Sequence, residues 1–205
     1  MFSELPCCGY VSAMNLTVLL LTDIFGQCAG LKRLQADFVH IGARLQIVDP
    51  YQGKPQQFAN EEQAYAAYIA KCGHNAYANI AAQALQSCSQ PFDVAIGFSA
   101  GANALWRALA DIGSKQVKQA ILFYPGQIHQ HLALKPQVPT QVIFGHSEPH
   151  FAVADICQQL QQQGVSAISA PYGHGFMNPA SKAFNEAGYQ QQLSQLLLIL
   201  KSTKY

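Results

Sequence analysis

Six short apolar or β-branched runs recur along the chain, at Leu16 to Leu21, Arg44 to Val48, Val94 to Phe98, Ala120 to Tyr124, Thr140 to Phe144 and Val165 to Ser169. Their length and continuity predict strands buried on both sides. Between them, apolar residues return at three- and four-residue spacing. This predicts helices over Leu31 to Ile41, Glu61 to Ser87 with an interruption at Gly73-His74-Asn75, Ala102 to Ile112, Phe151 to Gln163, and about Ala180 to Leu200. Gly113 is positioned to stop the third of these. Strand and helix alternate, so the expected fold class is α/β: a mostly parallel sheet of about six or seven strands with helices on both faces. In such sheets, reactive groups gather in the loops beyond the carboxyl ends of the strands.

Composition narrows the picture. The 205 residues are 50% hydrophobic, enough for one sizeable core and too few for two. A short extension over residues 1–15 followed by one domain over 16–205 is the expected organisation. Charged residues make up 11% against an ordinary ~25%, and the net charge is +1 with no basic run, so a nucleic-acid partner has no electrostatic support. The six cysteines form no CxxC pair, which argues against a zinc ribbon or a thioredoxin-type site and for buried free thiols. Val18 to Leu21 is too short to span a bilayer and Asp23 follows it, so neither a membrane partner nor a secretion signal is expected. A cytoplasmic location follows as the expectation. No motif calls for a cofactor or a metal, and nothing specifies an oligomeric state.

The chemistry starts at Gly97-Phe98-Ser99-Ala100-Gly101, where a predicted strand gives way to a predicted helix. A Gly-x-Ser-x-Gly match arises by accident in roughly one chain in fifteen of this length, so its setting carries the argument. A serine on a sharp strand-to-helix turn has its hydroxyl lifted clear of the sheet, and positions 97 and 101 are crowded enough to need glycine. The helix beginning at Ala100 would aim free amide hydrogens at an oxyanion beside Ser99.

A serine nucleophile on this fold requires an acid and then a histidine, each after a later strand. Of the carboxylates between Ser99 and the last histidine, Asp111 ends a helix and Asp155 falls inside one, whereas Glu148 lies four residues past Phe144 in "FGHSEPHF". Of the histidines at 129, 131, 146, 150 and 174, only His174 occupies the loop after the final strand, flanked by glycines in "SAPYGHGFMNP". Position therefore selects Glu148 and His174. In "HSEPH", Pro149 disfavours the helical geometry that would bring His146 and His150 onto one metal. Phe25, Tyr124, Phe151, Tyr172 and Phe176 stand as either core or pocket wall. If they line the site, the bound group is largely apolar.

With these residues in place, the chain resembles the dienelactone hydrolase family of α/β-hydrolases. The resemblance rests on "VLLLTDIFG" (18–26), "GFSAG" (97–101), "FGHSEPHF" (144–151) and "YGHGFMNP" (172–179). It implies a compact α/β-hydrolase without a large lid, acting on small-molecule esters or lactones. It also implies that the Ile24 backbone N–H joins that of Ala100 in an oxyanion hole. Three positions depart from the family. Ser99 stands where dienelactone hydrolases carry cysteine, and Asp23 stands for an auxiliary glutamate beside the nucleophile, either to tune the serine or to cap the turn before Phe25-Gly26. Asn178 replaces an arginine that holds the substrate carboxylate, so dienelactone itself is not the expected substrate. The run before Leu16 is also shorter than usual, so an edge strand or hairpin is expected to be missing.

The expected activity is acyl transfer to water through an acyl-enzyme on Ser99, with His174 as general base and acid and Glu148 orienting it. The partner would be a small-molecule ester, lactone or thioester, since the same three groups do not choose the leaving group. Outside that class stands a non-catalytic binding module on a degenerate hydrolase fold, against which the ordered serine, acid and histidine count.

Overall fold

A computed structural model describes residues 16–112 and 115–202. The extension expected over 1–15, with Cys7 and Cys8, and the stop at Gly113 lie outside the described residues. Strands β1 (Leu16–Leu21), β2 (Ala43–Val48), β3 (Val94–Phe98), β4 (Ala120–Phe123), β5 (Thr140–Phe144) and β6 (Ser166–Ser169) form one sheet in the order β2-β1-β3-β4-β5-β6. All five pairings are parallel. The first described strand therefore lies one in from an edge; the path winds outward to β2 and then crosses back to build the remaining four strands. The central strands β3 and β4 are buried at every position, while the edge strands β2 and β6 are half exposed.

Helices α1 (Ala29–His40), α2 (Glu61–Lys71), α3 (Gly73–Gln86), α4 (Ala100–Ile112), α5 (Val153–Gln162) and α6 (Glu186–Ser202) cover the sheet. Because side chains alternate along a strand, Leu19 and Leu21 join Tyr68 of α2 and the buried faces of α3, α4 and α5 on one side. Leu16, Val18 and Leu20 pack with α1 and α6 on the other. Helix α4 runs over the middle of the sheet, and Trp106 on it is fully buried.

Three boundaries differ from the sequence reading for local reasons. The break expected at Gly73-His74-Asn75 falls at Cys72 alone; Gly73, with a φ of 71°, opens α3, and His74 and Asn75 lie within it. Residues 180–185 are not helical. Helix α6 begins only at Glu186, capped by Asn185, whose side chain accepts from the Gly188 N–H at 2.9 Å. Phe151 bridges back to Glu148 instead of starting α5. Among the described residues, the expected burial of the thiols holds fully only for Cys157, since Cys28, Cys72 and Cys88 are half-buried. No helix among the described residues is long and apolar enough to cross a membrane.

Candidate active site

The carboxyl ends of β1, β3, β4, β5 and β6 face one rim of the molecule, and each contributes a loop to the same cavity. Ser99 follows β3 directly, with a φ of 49° that is strained for a residue with a Cβ. What holds it there is crowding. A Cβ at Gly97 would lie 2.6 Å from the Ala102 Cα, and one at Gly101 would strike the carbonyls of Leu21 and Thr22. The turn is further tied to the sheet by the Ser99 N–H, which donates to the Phe123 carbonyl at 2.9 Å.

The Ser99 Oγ lies 2.9 Å from Nε2 of His174, and Nδ1 of His174 lies 2.7 Å from Oε2 of Glu148. A carboxylate only accepts, so Nδ1 carries the proton of the neutral ring and Nε2 is left to accept from the hydroxyl. The imidazole leans on Tyr124, with ring centroids 4.9 Å apart. The Glu148 side chain is wholly buried, and its second oxygen, Oε1, has no hydrogen-bond partner. Three residues separated by up to 75 positions thus form one hydrogen-bonded line.

Asp23 and Ile24 occupy the turn after β1. Oδ1 of Asp23 accepts the Phe25 N–H at 2.9 Å, its Oδ2 accepts Nδ2 of Asn178 at 2.7 Å, and Tyr51 donates to the Ile24 carbonyl at 2.6 Å. Burial drives the Asp23 carboxyl above its ordinary value of 3.8, against the pull of those donors. Its Oδ1 therefore fixes the turn that carries Ile24, and its Oδ2 ties that turn to the loop after His174. The Ala100 amide opens α4, where first-turn N–H groups have no partner within the helix.

The cavity encloses about 640 Å³. Ser99, Ala100, Asp23, Ile24, Phe25, Tyr124, Glu148 and His174 line it. Four other pocket candidates do not. Phe176 is fully buried between Tyr124 and Tyr172, and the Tyr172 hydroxyl turns outward to Gln191. Phe151 packs edge-on against Phe144, and Asn178 is spent on Asp23. In their place come residues the sequence did not single out: Glu61, Glu62 and Tyr65 of α2, His74 of α3, Asn103 of α4, and Ser181 to Ala183. The Ser181 hydroxyl and the Lys182 N–H both donate to Glu61 Oε1, at 2.7 and 3.1 Å, closing the wall between α2 and the loop after His174. Of these, only Asn103 carried a visible signal, as an amide inside the apolar run Ala102 to Trp106 of α4.

The family model of the dienelactone hydrolase family matches residues 10–203. The chain belongs to the dienelactone hydrolase family. Among curated proteins, it is 30% identical over 102 residues to the uncharacterized protein YczH of Bacillus subtilis (strain 168), covering 48% of this chain and 49% of that one. The match thus spans about half the length of that relative. Among solved structures, a provisionally named dienelactone hydrolase from Klebsiella pneumoniae subsp. pneumoniae MGH 78578 superposes with a TM-score of 0.68 at 16% identity, covering 93% of this chain and 88% of that one. A dienelactone hydrolase-like promiscuous phosphotriesterase from metagenomic libraries gives 0.66 at 14%, covering 94% and 88%. Carboxylesterase CesB of Bacillus subtilis gives 0.57 at 15%, covering 89% and 84%. At these identities, the superpositions establish a shared α/β-hydrolase fold. Family membership and shared fold together make this chain an α/β-hydrolase-fold member of the dienelactone hydrolase family.

Proposed function

We propose that this family member hydrolyses small-molecule carboxylic esters or lactones through an acyl-enzyme on Ser99. The observation that carries the reading is the unbroken line from the Ser99 hydroxyl through His174 to the buried carboxylate of Glu148, at 2.9 and 2.7 Å.

A serine hydroxyl is a weak nucleophile at neutral pH. As Oγ attacks the ester carbonyl, Nε2 of His174 takes its proton, and Glu148 stabilises the resulting imidazolium and keeps the ring oriented. The negative oxygen of the tetrahedral intermediate meets the backbone N–H groups of Ala100 and Ile24. Each such donor is worth ~2.7 to 4 kcal/mol of barrier. When the intermediate collapses, the carbon–oxygen bond to the leaving alkoxide breaks and His174 returns the proton to it, leaving an acyl group on Ser99. Water repeats the sequence, with His174 accepting its proton, and releases the acid. For a lactone, the alcohol stays tethered to the acyl group. The absence of a guanidinium at Asn178 supports substrates without a carboxylate at that end.

A fluorophosphonate probe tests the reading: wild type labelled and Ser99→Ala unlabelled is the expected result. A folded wild type that resists the probe would make the chain a binding module instead. Short-chain p-nitrophenyl esters, small lactones and acyl thioesters assayed against the same pair then rank the leaving groups.

A further inference from the structure

Asn103 lies four residues after Ser99 on α4 and is 1% exposed, yet neither Oδ1 nor Nδ2 of its side chain has a hydrogen-bond partner. Its neighbours Ala102, Ala104, Leu105 and Trp106 are all buried, so packing alone would be served by leucine of nearly the same shape. A buried amide with both ends unpaired signals a missing partner. Asn103 also lines the cavity. On a helix, the Cα–Cβ bond leans toward the N-terminus, here toward Ser99. One turn further along the same face, Arg107 donates to the His74 carbonyl at 3.2 Å and to Asn75 Oδ1 at 3.0 Å. Asn103 therefore faces the α3 wall of the cavity, where His74 stands.

That wall is the acyl side. The leaving alkoxide must lie beside His174, which follows β6, while Glu148 and Tyr124 follow β5 and β4. The wall formed by Ile24 after β1, Tyr65 of α2, His74 of α3 and Asn103 of α4 is left for the rest of the substrate. Building on the acyl-enzyme reading above, we propose that Asn103 determines specificity by pairing with an uncharged carboxamide on the acyl group. A carboxamide offers one donor face and one acceptor face, matching Oδ1 and Nδ2 together. A carboxylate would leave Oδ1 without a donor, and an ammonium would leave Nδ2 without an acceptor. Four residues along a helix span about 6 Å, which sets the amide one or two carbons from the ester carbonyl.

Methyl esters of N-acetylglycine and of 4-methylpentanoic acid have the same shape, and only the first carries the amide. Followed by pH-stat, wild type should favour the N-acetylglycine ester by about tenfold or more in kcat/KM, because the unpaired site rejects the analogue. Asn103→Leu should pull that ratio toward one, chiefly through the amide ester. An unaltered ratio, an equal slowing of both esters, or no wild-type preference would overturn the proposal. If Asn103→Leu does not fold, Asn103→Ser is read the same way. Turnover of neither ester by a wild type whose Ser99 still reacts with fluorophosphonate also refutes it, whereas loss of that labelling refutes the acyl-enzyme reading beneath it.

Discussion

The side-chain amide of Asn178 donates to Oδ2 of Asp23 at 2.7 Å, joining the loop that carries His174 to the turn that carries Ile24. Two walls of the site are thereby held in register by one bond between residues 155 positions apart. Asn178→Leu removes the donor and keeps the volume, so the Asp23 carboxyl should rise further above its ordinary range. The variant should lose more thermal stability relative to wild type at about pH 8 than at about pH 3, where the carboxyl is protonated in either protein. Equal losses at both pH values would show that the bond does not act on Asp23.

Asp23 contributes a pH sensitivity opposite in direction to that of most carboxylates. Burial raises its folded-state value above 3.8, so the folded state holds this proton more tightly than the unfolded chain does. That advantage is complete below 3.8 and is lost as pH climbs through the raised value. Asp23→Asn stays neutral throughout. Its melting temperature relative to wild type should therefore shift in the variant's favour from about pH 3 to about pH 8, as differential scanning calorimetry would show. A difference that stayed flat, or ran the other way, would contradict the burial argument.

Gly101→Ala should destabilise the fold at or above the upper end of the about 1–3 kcal/mol typical of overpacking. Its new methyl group meets backbone carbonyls of Leu21 and Thr22, which cannot swing aside as a flexible side chain can. Urea unfolding measures this. A loss under about 0.5 kcal/mol, the scale of an ordinary surface change, would mean that α4 can shift away from β1.

Glu148→Gln should cut kcat by about three to four orders of magnitude with little change in KM, because an amide at 148 no longer enforces the Nδ1–H tautomer of His174. Asp155, exposed on α5, is the control, and Asp155→Asn should be close to silent. Steady-state kinetics on one p-nitrophenyl ester suffices. The reverse pattern would move the acid to Asp155.

Arg33 and Glu186 join α1 to the start of α6, with Nη1 of Arg33 donating to Oε2 of Glu186 at 2.8 Å. This fork, with a further bond from Gln190, holds the Glu186 carboxyl down to about 2, from 4.5. A carboxyl depressed on folding lends stability above its unfolded value, and that stability fades as pH falls toward the depressed one. NMR titration should find Glu186 ionised until about pH 2 in wild type. In Arg33→Gln it should return toward the ordinary range. An unshifted wild-type titration would show the pair to be open in solution.

Strands and the body of each helix were legible in the chain because their signal is local. An apolar run at Val94 to Phe98 or a helical spacing after Ala102 needs no knowledge of what lies across the core. The turn at Ser99 and the order of serine, glutamate and histidine were legible for a related reason: on a parallel sheet, sequence position after a strand already names the rim on which a loop emerges. Tertiary structure alone decided the remainder. Phe176 and Tyr172 are as apolar in sequence as Phe25, and only packing against α6 removes them from the cavity. Residues 180–185 carry helix-compatible side chains, yet Asn185 caps the helix later and Ser181 is drawn to Glu61 on a distant element. Asn103 reads as one polar letter within the run Ala102 to Trp106 until the fold leaves its amide buried without a partner. Periodicity along a chain reports which residues share a face. What that face meets depends on contacts made across scores of residues, and no local pattern encodes them.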